Sequence, residues 1–111
     1  MPKPPKEFLV DDFMYREYLG EGDYNKPIYG DYVTIENSRI DRGTQYTFSS
    51  NGKQLLYNAV IFCYAGLTNP MPVFKEQSLV IFDGKEHKVI SVDRVTEAYT
   101  DDTYSYELEV I

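Results

Sequence analysis

The 111 residues contain one cysteine, one histidine and no tryptophan. A lone Cys63 excludes an internal disulfide and any site built from several thiolates, and it fits a reducing compartment. A lone His87 leaves little for nucleophilic catalysis, because a nucleophile needs a base that a third group orients. No stretch approaches the roughly 18 apolar residues of a membrane span. The opening MPKPPKEFLV lacks the apolar core of a secretory signal, so neither membrane association nor secretion is expected. Basic residues are also scarce: 11 against 18 acidic ones, for a net charge of −7. Tight binding to nucleic acid draws on Lys and Arg neutralising phosphates, so specific nucleic-acid binding is not expected. A surface past which DNA slides is compatible with this sign. No G-x-G-x-x-G, P-loop or EF-hand pattern is present, and no cofactor or metal site is expected.

What the chain has in quantity is tyrosine, eleven of them, with six phenylalanines. Aromatic and β-branched residues suit pleated, half-buried surfaces, and tyrosine also suits interfaces. The length predicts one β domain over residues 1–111, with 1–7, rich in Pro and Lys, as a flexible arm. A helix over 8–19 is weighed against a strand. The tyrosines and the following Gly-Glu-Gly-Asp favour the strand, with Phe13, Tyr15 and Leu19 on one face. Over 31–41, Val33 and Ile35 share a face and Ile40 falls out of phase, which predicts a bulge near 36–38.

Asn51-Gly52 between TQYTFSS and KQLLYNAVIFCY predicts a hairpin with a type I′ turn. Its second arm, 55–64, is apolar on both faces and reads as a central strand covered on both sides. Residues 66–76, with two prolines, read as a connection. Asp83-Gly84 predicts a second hairpin, whose return arm puts Ile90 and Val92 in phase and Val89 opposite. Thr100-Asp101-Asp102 reads as a turn. In the last run Tyr104, Tyr106, Leu108 and Val110 face inward, and Ser105, Glu107 and Glu109 outward. The sum is an all-β chain, a small β-barrel or sandwich of six to seven mostly antiparallel strands with one long hairpin.

The chemistry-bearing residues read as structural. His87, three residues after its turn, is expected to face solvent, and Cys63 to be a small buried hydrophobe. Asp11, Asp12, Glu17, Glu21, Asp23, Asp101, Asp102, Glu107 and Glu109 sit at element ends or on outward faces, as solvated charge and turn chemistry do. Tyr57, Tyr64, Tyr104 and Tyr106 are expected to line the sheet and contacts with neighbouring subunits. No catalytic residue is assigned.

From residue 53 onward the chain runs through LLYNAVIFCYAG, the Pro loop LTNPMPVFKE, the hairpin QSLVIFDGKEHKVISVDRV and TYSYELEVI. This order, with NKPIYGDYVTIENSRIDRGTQYTFSS before it, resembles the minor capsid protein family of phages and prophages of Gram-positive bacteria. That family is similar in turn to the head-completion, or stopper, proteins of long-tailed phages. The resemblance implies a small β-barrel working as a head–tail connector, a ring below the portal that retains packaged DNA and docks the tail. It implies portal or adaptor and tail-completion proteins as partners, and a place in the virion after assembly in the host cytoplasm. The stopper's channel-facing loop matches 42–54 in position, with Ser49, Ser50, Asn51, Gly52, Lys53 and Gln54 as the candidate channel-facing residues. This tip is polar and carries no large plug residue. The alternative is a small β-barrel module binding a carbohydrate or peptide on a tyrosine-lined concave pocket.

Overall fold

Runs of aromatic and β-branched residues, broken by Gly, Asn-Gly and Asp-Gly, give strands of uneven length. The computed structural model describes residues 3–43, 45–49 and 52–111. It holds β1 (Asp11–Glu21), β2 (Pro27–Asp41), β3 (Gln45–Ser49), β4 (Gly52–Tyr57), β5 (Ala59–Tyr64), β6 (Leu79–Phe82), β7 (Lys85–Thr96) and β8 (Thr103–Val110). The only helical pieces among the described residues are single 3-10 turns at Lys6–Phe8 and Asp23–Asn25. The chain is therefore all-β, with eight strands where six to seven are expected.

Six strands form one antiparallel sheet in the order β1-β2-β5-β8-β7-β6, and β1 returns to β6 through Met14, Tyr15 and Arg16, so the sheet closes on itself. Two long strands make the closure. β2 pairs with β1 along most of its length and with β5 only through Arg39, Ile40 and Asp41. β7 pairs first with β6 and then with β8. The bend in β2 lies where the phase change predicts it. Asp11 pairs with Ser38 but Phe13 with Ile35, so β2 holds one extra residue there, and Asn37 takes a left-handed φ of 62°. Asn is among the few residues that tolerate this conformation. The slip turns Ser38 and Ile40 inward along with Ile35, all three buried.

The Asp83-Gly84 turn also matches its reading: both residues take positive φ, and Phe82 pairs with Lys85 across them. On β8, Tyr104, Tyr106, Leu108 and Val110 are buried as expected. Ser105 is buried too, flanked by Tyr64 on β5 and Val95 on β7. The turn at 100–102 is closed by the Glu97 N–H donating to the Asp102 carbonyl.

Several expectations need correction. The run 55–64 is not one central strand. It breaks at Asn58, and only Ala59–Tyr64 joins the closed sheet. There Ala59, Ile61 and Cys63 are buried and the alternate residues are half-exposed, so one face is covered, not two. β4 pairs instead with β3 in a separate two-stranded sheet. Leu19 does not share the buried face of Phe13 and Tyr15. Two register shifts intervene between Arg16 and Gly20, beyond the stretch that β6 covers, and Leu19 is exposed. Val33, opposite Tyr15, is exposed as well, because β5 flanks β2 only from Arg39 to Asp41. On β7 a register shift between Val89 and Ser91 buries Val89, exposes Ile90 and leaves Val92 packed against the core edge.

The interior is solid. Ile35, Ile61, Val80, Val89, Leu108 and Val110 are fully buried from five different strands, and the connection after β5 adds Phe74 to them. A small closed sheet whose inward side chains interdigitate has no lumen.

Candidate functional site

The candidate site is the β3–β4 hairpin and the end of the closed sheet from which it projects. The hairpin is an insertion in a longer one. β2 and β5 pair down to Asp41 and Val60, and β3 and β4 then pair from Gln45 and Tyr57 outward to Ser49 and Gly52. Of the expected Asn51-Gly52 turn, Asn51 lies outside the described residues, and Gly52 is a strand residue opposite Ser49, with φ +103°. Of the candidate channel-facing residues, Ser49, Gly52, Lys53 and Gln54 thus lie on the two strands nearest the tip. Ser50 and Asn51 lie outside the described residues.

The hairpin's base is built around Arg42, which enters the sequence reading only as the first residue of the 42–54 stretch. Its Nε and Nη2 donate to the two carboxylate oxygens of Asp83, at 2.6 and 3.1 Å. Nη2 also donates to Asp11 Oδ1 at 3.2 Å, and Nη1 to the Ile40 carbonyl at 3.3 Å. The planar fork suits a carboxylate held in this bidentate way. Hydrogen bonds from Asp83 and then Asp11 push the guanidinium further up from its already high range. The Arg42 bond in turn holds the Asp83 carboxyl below the ordinary carboxylate value.

Beneath the fork lies Phe82, its ring 5.9 Å from the guanidinium carbon. His87 stacks on the same ring at 4.2 Å between centroids and 11° between planes. This corrects the solvent-facing expectation. His87 pairs across the sheet with buried Val80, so it points to the inner side near the sheet's end and is half-buried. Burial and then Lys85 lower its pKa from the usual histidine value. Arg42, Asn58, Phe82, Asp83, Lys85 and His87 border a shallow cavity of about 320 Å³. His87 thus has the Phe82 ring on one side and lies within reach of the charges of Lys85 and Asp83.

The remaining chemistry-bearing residues are dispersed. Cys63 is fully buried, and burial pushes its thiol far up, away from reactivity. Asp12 caps the Asn37 N–H, Glu17 pairs with Lys75, and Asp101 with Arg94. Among the described residues no three His, Cys, Asp or Glu side chains converge to hold a metal, and no helix is long and apolar enough to cross a membrane. Tyr64 and Tyr104 meet edge to face at 6.0 Å, and Tyr106 packs on Phe74 in the core. Tyr57 belongs to β4. A second, more apolar groove of about 510 Å³ runs between β1–β2 and the segment Pro70 to Val73, but it holds a single tyrosine, Tyr15.

Comparison with known proteins places this architecture. Over 75 residues the chain is 35% identical to the uncharacterized protein ORF5 of Lactococcus phage LL-H, covering 65% of this chain and 64% of that one. Over 58 residues it is 28% identical to the ORF5 protein of Lactococcus phage mv4, covering 50% and 51%. The chain thus spans less than two thirds of the length of either relative. Residues 5–110 match the family described as minor capsid protein, which takes in every strand from β1 to β8, and on that extent the chain belongs to the minor capsid protein family.

Proposed function

We propose that this minor capsid protein is a structural, non-enzymatic component of the virion, and that within it the chain acts as a head–tail connector. In this reading copies of the chain form a ring below the portal, help retain packaged DNA and present a surface on which the tail docks. The observation that carries the reading is the contrast between a closed sheet with a filled interior and a hairpin that pairs with no strand of that sheet. A filled sheet has no lumen of its own, so a DNA-sized passage requires several copies around an axis. Head-to-tail contacts between unlike patches of one chain produce such rings. The hairpin is an element able to reach a central axis, with Ser49 and Gly52 its outermost described pair. The net charge of −7 opposes adhesion of DNA to the passage wall. The ligand-module alternative asks for a concave tyrosine-lined pocket, and the groove beside β1–β2 offers one tyrosine.

The test replaces residues 45–57 by a short Gly-Ser connection in the phage genome. Particles are then assayed for this chain by mass spectrometry, for tails by electron microscopy, and for DNA by nuclease protection. The connector reading expects the shortened chain to be present in particles whose DNA becomes nuclease-sensitive. Protected DNA with tails in place would remove the DNA-retaining role and leave docking. Tailed, infectious particles that lack the chain altogether would overturn the reading.

A further inference from the structure

A two-stranded hairpin has little stability or fixed direction of its own in water. Where β3–β4 joins the closed sheet therefore helps to set the direction in which it points. Its outgoing leg, after Asn58, is held by the backbone: the Asn58 N–H donates to the Val110 carbonyl at 2.7 Å. Its incoming leg passes through Arg42 and Gly43. The Gly43 N–H donates locally to Asp41 Oδ1 at 3.1 Å, and the tie to other elements is the Arg42 side chain. The Arg42 fork reaches Asp83, on the turn between β6 and β7, and Asp11, the first residue of β1.

Both acceptors are fixed in place. Asp11 uses its second oxygen to accept the Ile40 N–H at 2.9 Å, and Asp83 sits in a turn whose two residues both take left-handed φ. A single side chain thus ties the start of the hairpin to two separate elements at the rim of the sheet. The Arg42–Asp83 pair is also open to water, with side chains 45% and 54% exposed, while Asp11 is more enclosed at 18%. Exposed ion pairs are weak and respond to salt, which distinguishes this restraint from the hydrogen-bonded backbone on the other leg.

We propose that Arg42, Asp83 and Asp11 form a releasable latch that fixes the angle of the β3–β4 hairpin on the closed sheet, the hairpin swinging about Asn58 when the guanidinium is freed. The latch rests on the geometry of the single chain and stands or falls independently of the connector reading.

Spin labels at Thr47→Cys and Lys88→Cys report the angle by pulsed electron resonance, with buried Cys63 left unlabelled. Wild type at low salt is expected to give one narrow distance distribution. Arg42→Gln and Asp83→Asn should each widen it at least twofold, Arg42→Lys should give an intermediate width, and Lys26→Gln should leave it unchanged. High salt should widen the wild-type distribution in the same sense. Natively folded Arg42→Gln with an unchanged distribution overturns the latch. Should the variants fail to fold, the wild-type salt series decides: widening supports the latch and a constant width overturns it.

Discussion

The Tyr15 phenol oxygen and Ser78 Oγ lie 3.0 Å apart in the interior, and between them they satisfy two backbone groups. Ser78 Oγ accepts the Tyr18 N–H at 3.0 Å, and Tyr15 Oη accepts the Lys75 N–H at 2.9 Å. The pair joins β1 to the segment that leads into β6, at the seam where the sheet closes. Ser78→Ala strips the Tyr18 N–H of its acceptor and is expected to cost about 1–3 kcal/mol, as does Tyr15→Phe at the Lys75 N–H. Because the two hydroxyls share one bond, the double variant should cost less than the sum of the singles. Urea titrations of the four proteins measure this, and strict additivity would mean that the two groups are not coupled.

Phe74 makes a loop part of the core. It is buried, and its ring meets Tyr15 and Tyr106 edge to face at 5.0 and 5.2 Å and Phe13 at 6.3 Å. Phe74→Ala removes a large ring from a packed interior and is expected to cost about 3–5 kcal/mol. Its neighbour Val73 is 70% exposed, and Val73→Ala should change stability by no more than about 0.5 kcal/mol. Equal effects in a denaturant titration would show that the connection does not close the core.

These two sites mark where the sequence is readable and where it is not. The Asp83-Gly84 turn is legible because two successive left-handed residues have a short-range signature. The bulge at Asn37 is legible because a phase error in the apolar pattern requires one. Phe74 has no periodic context, coming just after Pro70 and Pro72, and its partners are some sixty residues before it and thirty after. The run 55–64 is ambiguous because an apolar stretch does not reveal which of its residues will pair with which strand; the break at Asn58 arises because β2 and β8 pair only with residues beyond it. Arg42 is invisible locally, since its two acceptors are 31 and 41 residues away. For His87, distance along the chain from a turn says nothing of which side of the sheet it faces. Its stacking is set by the register with Val80.

His87 gives a pH dependence whose sign can be worked out. Its folded pKa lies below the ordinary 6.5, chiefly through burial, so the unfolded chain takes up a proton first. Stability is full above about pH 6.5 and falls as pH drops from there through the lower folded pKa. Asp83 acts in the same sense but at lower pH, since Arg42 holds its carboxyl below the ordinary 3.8. Melting temperatures between pH 7.5 and 5 should therefore decline more in wild type than in His87→Gln. Parallel curves would show that the imidazole titrates as it does in the unfolded chain.

The outer face of the sheet carries a repulsion that a single substitution can reverse. Asp93 on β7 is paired directly with Glu107 on β8, and Glu107 with Phe62 on β5, beyond which stands Arg39 on β2. The one cation of this row is two strands from Glu107, roughly 10 Å at ordinary strand spacing, close to a Debye length at moderate salt. In the register Arg39 stands opposite Phe62 and not opposite either of the two carboxylates that face each other. Like charges directly opposite destabilise a sheet, and opposite charges there contribute about 0.2–1 kcal/mol. Asp93→Lys replaces the first situation by the second and should raise stability by about 0.5–1 kcal/mol at low salt. Salt separates this from a change in strand propensity: adding it should narrow the gap between variant and wild type, because screening relieves the repulsion in one and weakens the attraction in the other. A gap that persists unchanged at high salt would assign the gain to something other than charge.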